Sequence, residues 1–102
     1  MRAKLNIQYK SKKLEKVCTD FSSAQRVHGK DMAERIHQRI DEIAAADSVE
    51  MLVKYVIGRC HPLNGNRYGE YAMDLHHPYR LVFEVINEEI KIARILNIED
   101  YH

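Results

Sequence analysis

The chain begins with the strict alternation of apolar and polar residues that is typical of a half-buried β-strand. In KLNIQYK, residues 4–10, the apolar residues Leu5, Ile7 and Tyr9 alternate with lysine, asparagine and glutamine. A period of two directs successive side chains to opposite faces. We therefore predict a strand with one face against a core and the other in water.

The pattern then changes to the spacing of helices. Ser11 can cap a first helix, and a break at Thr19 to Ser23 separates this helix from further helical sequence. From Asp31 onward, apolar residues recur every three or four positions, which predicts an amphipathic helix. Its core-facing residues are Met32, Ile36, Ile40 and Ile43. A capping box predicts another short helix, with Asp47 or Ser48 as its cap.

Three more strands are predicted after a loop. Residues 58–69, GRCHPLNGNRYG, are rich in turn residues. Alternation returns at Tyr71, turns at HHP (residues 76–78), and continues through YRLVFEVI and EIKIARILNI, which Asn87-Glu88-Glu89 separate. One strand, two or three helices and three strands predict an α+β fold. We expect a mainly antiparallel sheet with the helices on one face.

The composition is that of one folded domain. The 102 residues are 45% apolar and 30% charged, so we expect a single domain over residues 1–102 and no disordered chain. The sequence has no apolar run long enough for a bilayer span or a signal peptide, which predicts a cytoplasmic protein without membrane association. Cys18 and Cys60 are too few for a disulfide framework, and we expect both to be thiols.

The net charge of +1 conceals an uneven distribution. Residues 1–16 contain one acid, Glu15, among basic residues that form a local positive field. The basic residues are Arg2, Lys4, Lys10, Lys12, Lys13 and Lys16. Two interpretations stay open: a surface that faces nucleic acid, or a solvated lysine-rich face.

Four segments contain groups that are suited to chemistry. They are Arg59-Cys60-His61 with Arg67, the tandem His76-His77, Arg80 in an apolar strand, and Asp100-Tyr101-His102. They provide proton carriers, cations and an aromatic ring, without a recognisable nucleophile motif. RNA cleavage fits this set, because RNA carries its own nucleophile, the 2′-OH. The protein then needs a base, an acid and a cation for the phosphorane, and no metal.

Each candidate also has a purely structural interpretation. His61 is held extended by the proline that follows it, and it can simply cap a backbone group. Arg80 can form a cross-strand salt bridge. Tyr101 can be a core aromatic residue instead of a stacking platform, and His102 can be a frayed terminus that does nothing. The tandem histidines point to opposite faces if extended, so a shared metal ion is not expected.

Two segments resemble a known family: CHPLNGNRYGEYAMDLHHPYRLVFEV (residues 60–85) and ILNIEDYH (residues 95–102). They resemble the HigB-type toxins of the RelE/ParE superfamily, also called plasmid maintenance system killer proteins. In that family a His-Pro-Leu-x-Gly loop precedes the sheet, an arginine follows an aromatic residue in the next strand, and the chain finishes on Glu-Asp-Tyr-His. The resemblance implies a RelE-like microbial ribonuclease fold.

The resemblance also implies a function. Members are toxins of type II toxin–antitoxin systems, and they are ribosome-dependent mRNA endonucleases that inhibit translation. The expected partners are a cognate HigA-type antitoxin with a helix-turn-helix domain, mRNA and the bacterial ribosome. Operator DNA is reached indirectly, through the antitoxin complex. No cofactor is expected.

Carried over residue by residue, the resemblance gives a set of candidate site residues. The catalytic candidates are His61, Arg80, Asp100, Tyr101 and His102. Arg67 matches a loop arginine that contacts phosphate, whereas Asn64 stands where many relatives have lysine. The charge of that lysine is then lost or provided by Lys54, Arg59 or Arg67. We expect Arg67, Asn64, Lys54 and Arg59 to contact RNA. For the basic residues Lys10, Lys12 and Lys13, our hypothesis is contact with ribosomal RNA.

Two other functions are alternatives. The ParE branch of the superfamily keeps the fold, lacks a nuclease site and acts on DNA gyrase. His61, Arg80 and the Asp-Tyr-His ending argue against a pure binder, because binding alone does not need paired proton carriers. A degenerate toxin that acts only in operon regulation also stays open, because Asn64 removes a positive charge.

Overall fold

The computed structural model describes residues 5–86 and 91–100, which form a layer of helices against one face of a five-stranded sheet. The elements are β1 (Asn6–Tyr9), α1 (Lys12–Thr19), α2 (Phe21–His28), α3 (Lys30–Ala45), α4 (Val49–Lys54), β2 (His61–Pro62), β3 (Glu70–Asp74), β4 (Tyr79–Val85) and β5 (Ile92–Asp100). Two short 3₁₀ turns, Ile57–Arg59 and Gly65–Arg67, flank β2. The predicted turn Asn87-Glu88-Glu89 and the candidate residues Tyr101 and His102 lie outside the described residues.

The sheet has the strand order β1-β5-β4-β3-β2. Neighbouring strands are antiparallel, except that β1 runs parallel to β5, so the sheet is mixed. The alternation in β1 predicts which side chains are buried and does not predict the strand direction. After β1 the chain passes through the helices, enters the sheet at the opposite edge as β2, and crosses back through β3 and β4 to β5, so the β1–β5 pair has the long connection that a parallel pairing requires. The prediction of an α+β fold with a mainly antiparallel sheet is therefore confirmed, and the parallel pair of β1 and β5 makes the sheet mixed.

The helix signals predicted from the sequence are confirmed in the main. The hydroxyl oxygen of Ser11 accepts a hydrogen bond from the backbone nitrogen of Leu14 at 3.1 Å, and Ser48 caps α4 through Met51 at 3.3 Å. The four core-facing residues of α3 are all buried. The predicted break at residues 19–23 is shorter than expected. Only Asp20 interrupts the helices, and its carboxylate accepts a hydrogen bond from Ser23 at 2.6 Å.

The loop prediction for residues 58–69 is also partly wrong. The loop contains β2, whose residues pair with Ala72 and Tyr71 of β3. Two residues are too few to show a period of two, so alternation does not reveal this strand. It extends the sheet by one edge strand and fixes the backbone of His61.

The main core lies between the helices and one face of the sheet. Its largest fully buried side chains include Phe83, Ile36, Ile43 and Leu52. Cys18 and Cys60 are buried free cysteines, and burial raises the pKa of each thiol to about 12. In the described ranges, no helix combines the length and the apolar character that a bilayer crossing needs.

A second, smaller apolar cluster lies on the other face of the sheet. It consists of Leu63, Ala72 and Val82, with Leu96 packed against it. We call this side of the sheet the open face, because the main helical core packs on the opposite side. The open face carries the polar residues that alternate with core residues along β3, β4 and β5.

Candidate functional site

Charged side chains surround the apolar cluster on the open face. Cross-strand pairing places Arg80 between Asp74 of β3 and Glu99 of β5, and it places His61 opposite Ala72. Residues that pair directly across neighbouring strands project to the same side of a sheet. The register therefore brings His61 and Arg80, two of the catalytic candidates, to the same face.

Glu99 joins two arginines on this face. Its Oε2 accepts hydrogen bonds from Nη2 of Arg80 at 2.7 Å and from Nη1 of Arg67 at 2.8 Å. Its Oε1 accepts a second bond from Arg67 at 3.0 Å, while Nε of Arg67 donates to Glu70. Such charge-assisted, forked contacts are stronger and more directional than neutral ones. Each guanidinium is therefore held in a fixed orientation.

The arginines also determine the charge of Glu99. The hydrogen bond from Arg67, with that from Arg80, outweighs burial and lowers the pKa of Glu99 from 4.5 to about 2. In return, the bond to Glu99 raises the pKa of Arg67. Glu99 is consequently an anion at neutral pH, and it cannot serve as a proton donor there.

This lowered pKa predicts a pH-dependent contribution to stability. Because the folded-state pKa lies below the unfolded value of 4.5, the contribution is complete above about pH 5 and is lost as the pH falls through about 2. We expect the difference in unfolding free energy between wild type and Glu99→Gln, from urea denaturation, to shrink over that interval.

A matched background identifies the cause of this pH dependence. Arg67→Met removes the largest contribution to the lowered pKa, so the same Glu99→Gln comparison in that background is expected to vary less with pH. A difference that stays constant from pH 5 to 2 in the wild-type background would contradict the role given to the arginines.

His61 is half-buried, and its ring orientation is set by a backbone contact. Its Nδ1 lies 2.7 Å from the carbonyl oxygen of Arg59. A carbonyl can only accept a hydrogen bond, so Nδ1 carries the proton and donates it. In the neutral ring Nε2 then has a free lone pair and can accept a proton. The capping interpretation of His61 is thus correct, and the contact leaves Nε2 as the unprotonated nitrogen of the neutral ring.

The predicted RNA-binding residues are distributed over three places. Arg59 pairs with Asp74, with Nε 2.9 Å from Oδ2. Asn64 is exposed directly before the turn that carries Arg67. Lys54 ends α4, with its ammonium 5.4 Å from the ring centroid of Tyr55.

The lysines near the N-terminus lie beside the other edge of the candidate site. Lys10, Lys12 and Lys13 are exposed at the end of β1 and the start of α1. Lys13 lines a cavity of about 330 Å³ together with Leu96 and Asn97 of β5. This basic segment therefore adjoins the strand that provides Glu99.

Asp100 differs in position from the other candidates. It pairs with Tyr79, one residue beyond the Arg80–Glu99 pair, so alternation directs it to the side of the sheet away from Arg80. The tandem histidines are exposed at the turn before β4. Within residues 5–86 and 91–100, no three potential metal-ligating side chains of histidine, cysteine or acidic type converge.

Sequence reasoning missed Glu99 and the buried Arg39. Glu99 stands in the quoted ILNIEDYH ending, but its role becomes visible only when the register places it beside Arg80. Arg80 forms a salt bridge with Glu99 of the neighbouring strand, which agrees with the cross-strand salt bridge given as its structural interpretation. Arg39 is only 7% exposed although arginine is seldom buried, and no sequence signal marks it.

The fold defines the class of protein. YoeB of Staphylococcus aureus, solved in complex with YefM, is 25% identical, with a TM-score of 0.62 over 98% of this chain and 99% of that chain. YafQ from E. coli is 20% identical, with a TM-score of 0.59 over 96% and 94%. The chain thus has the fold of RelE/YoeB-type toxins.

Sequence similarity identifies the family more narrowly. Endoribonuclease HigB of Proteus vulgaris is 35% identical over 69 residues, which are 68% of this chain and 71% of that protein. The chain belongs to the HigB family of endoribonuclease toxins in the RelE/ParE superfamily. No family model matches the chain. The resemblance to HigB-type toxins is therefore confirmed.

Proposed function

We propose that this toxin cleaves mRNA in a ribosome-dependent reaction, by attack of a 2′-OH on the adjacent phosphorus, and leaves a 2′,3′-cyclic phosphate. Translation is inhibited as a result, and growth arrests. One observation carries the proposal: two arginine forks are held 2.7–3.0 Å from a single carboxylate, on the face that also carries a histidine with a free Nε2.

The arginine pair is suited to a phosphate. A carboxylate and a phosphate offer the same spacing of oxygens to a guanidinium fork, so an RNA phosphate can take positions now held by Glu99. Arg80 is the more buried of the two cations, with 15% of its side chain exposed against 35% for Arg67. Arg80 therefore stabilises the charge of the phosphorane, and Arg67 binds and orients the phosphate.

The proton transfers are assigned to the histidines. His61 is the base, because its Nδ1 is occupied by the Arg59 carbonyl and Nε2 can take the 2′-OH proton. His102 is the acid for the leaving 5′ oxygen, because it is the second histidine that the resemblance to HigB-type toxins assigns to the site and imidazolium can donate a proton near neutral pH. Asp100 orients the imidazole or takes a proton itself, and Tyr101 stacks on the substrate.

Charge and exposure support a path for RNA across this surface. Arg59 pairs with Asp74, the strand neighbour of Arg80, Asn64 is exposed in the loop that carries Arg67, and Lys13 with Asn97 lines the cavity beside β5. Lys10 and Lys12 continue the positive surface toward ribosomal RNA. Attraction of this kind depends on salt, as expected for binding to a polyanion.

An antitoxin partner follows from the relatives. YoeB of S. aureus has been solved with YefM, and the RelBE2 toxin–antitoxin complex of Mycobacterium tuberculosis has a TM-score of 0.51 to this chain. We propose a HigA-type antitoxin with a helix-turn-helix domain, through which the complex binds its operator DNA and represses the operon.

The first test is cleavage of a defined mRNA by the purified toxin, with and without programmed ribosomes. We expect cuts only with ribosomes, and cyclic phosphates at the new 3′ ends. Cuts in free RNA would contradict the proposed ribosome dependence, and 3′-hydroxyl ends would contradict attack by the 2′-OH. Folded toxin that arrests growth without cleaving in either reaction would favour gyrase as the target, which a supercoiling assay tests directly.

A further inference from the structure

Arg39 is a buried arginine that packs against the turn before His61, the candidate base. Arg39 is on the core side of α3 and 7% exposed. Its Nε donates a hydrogen bond to the backbone carbonyl of Asp74 at 2.6 Å, and its Nη1 donates to Glu42 at 2.8 Å. An apolar side chain would fill this space without the cost of burying a charge. What arginine adds is a directed hydrogen bond from α3 to the end of β3, with a second bond inside α3, to Glu42, that orients the guanidinium.

The turn before His61 is packed directly on this guanidinium. A Cβ atom at position 58 would lie 2.7 Å from Nε and 2.9 Å from Cζ of Arg39, so only glycine fits. Gly58 has a φ of 58°, and Val56 and Arg59 have φ values of 52° and 55°. Residues with side chains seldom adopt this left-handed region, and they need surrounding contacts to hold them there.

Those contacts converge on Asp74. Its backbone carbonyl binds Arg39, and its carboxylate oxygen lies 2.9 Å from Nε of Arg59. The carbonyl of Arg59 in turn accepts the Nδ1 proton of His61 at 2.7 Å. Two contacts therefore hold the backbone of Arg59 in place. Gly58 packs against Arg39, and the side chain of Arg59 forms a salt bridge with Asp74.

We propose that Arg39 is a positioning residue, which holds the Arg59 carbonyl in place and thereby fixes the ring orientation and tautomer of His61. The catalytic consequence of this inference rests on the function proposed above, whereas the tautomer itself does not. Without Arg39 the turn loses the surface on which Gly58 packs. The Arg59 carbonyl then moves, and His61 is no longer restricted to the form with its proton on Nδ1.

The test compares Arg39→Met with Arg35→Met, which removes the same charge from a half-buried position one turn earlier on α3. Nitrogen-15 NMR of the histidine rings reports the tautomer of His61 in each folded protein. We expect Nδ1–H in wild type and Arg35→Met, and a tautomer mixture in Arg39→Met. We expect kcat on programmed ribosomes to fall roughly ten- to a hundredfold in Arg39→Met, with KM unchanged, as for a small misplacement of a catalytic group.

Folded Arg39→Met with an unchanged tautomer and unchanged kcat would overturn the inference. If Arg39→Met does not fold, Arg39→Lys decides, since lysine keeps the charge but cannot form the planar fork. A tautomer mixture there supports the role of Arg39, and a pure Nδ1–H form refutes it. Wild-type toxin that fails to cleave mRNA would reject the proposed function, while the NMR comparison would still test the positioning role.

Discussion

Arg80→Ala is expected to lower the rate of ribosome-dependent mRNA cleavage by about 10²- to 10³-fold, which is the typical loss when an electrostatic contact to the transition state is removed. Arg80 is the more buried member of the arginine pair, and water cannot replace a fixed cation in that position. The fold should persist, because Glu99 keeps its two hydrogen bonds to Arg67.

Arg94→Ala is the matched control for this substitution. Arg94 lies on the same face, and its Nη1 is 4.0 Å from Oε2 of Glu84. We expect cleavage by this variant to stay within about twofold of wild type, as for a surface charge outside the site. Equal losses in Arg80→Ala and Arg94→Ala would mean that general positive charge, and not the orientation of Arg80, supports cleavage.

The second large effect is expected at His61. His61→Gln removes the imidazole, and with it the Nε2 proton acceptor, and leaves a neutral polar side chain of similar size. Loss of a positioned base typically costs about 10²- to 10⁴-fold in rate. Single-turnover cleavage on programmed ribosomes measures this loss apart from binding.

His77→Gln controls for the loss of a histidine as such, because His77 is exposed at the turn before β4. This variant is expected to cleave at the wild-type rate. If His61→Gln retains wild-type cleavage while His77→Gln does not, the base has been assigned to the wrong histidine and the open-face site is incorrect.

The parts of the fold that follow from local patterns were predictable from the sequence. The spacing of Met32, Ile36 and Ile43 gives α3 because periodicity reflects burial on one side of a helix. The caps at Ser11 and Ser48 are recognisable because a hydroxyl satisfies a free backbone N–H at the first turn. These signals involve residues that are close together in the sequence, so they can be recognised in a single sequence without a structure.

Features that depend on pairing between distant segments were not predictable in the same way. The parallel direction of β1, the Glu99 bridge and the buried Arg39 all depend on which residue meets which across the fold. In a helix pattern Arg39 is only another charged residue, and its burial depends on the carbonyl of Asp74, far away in the sequence. The sequence on either side of Arg39 and of Asp74 gives no indication of this hydrogen bond.

The structure brings part of the predicted set of site residues together on one face. His61 and Arg80 share a face as the family resemblance implies, and Arg67 joins them through Glu99. The resemblance names residue types at approximate spacings and does not give the register. It therefore grouped Asp100 with Arg80, although pairing with Tyr79 directs Asp100 to the other side of the sheet.

The strand order has a consequence for the synthesis of the toxin. β5 lies between β1 and β4, and it is the last strand along the described chain. A nascent chain that stops before Ile92 leaves β1 without its neighbour and the two arginines without Glu99. The arginine pair cannot be assembled until the codons for β5 have been translated. Translation products that end before β5 are therefore expected to be harmless, and the ribosome that makes the toxin meets no organised site until β5 has been synthesised.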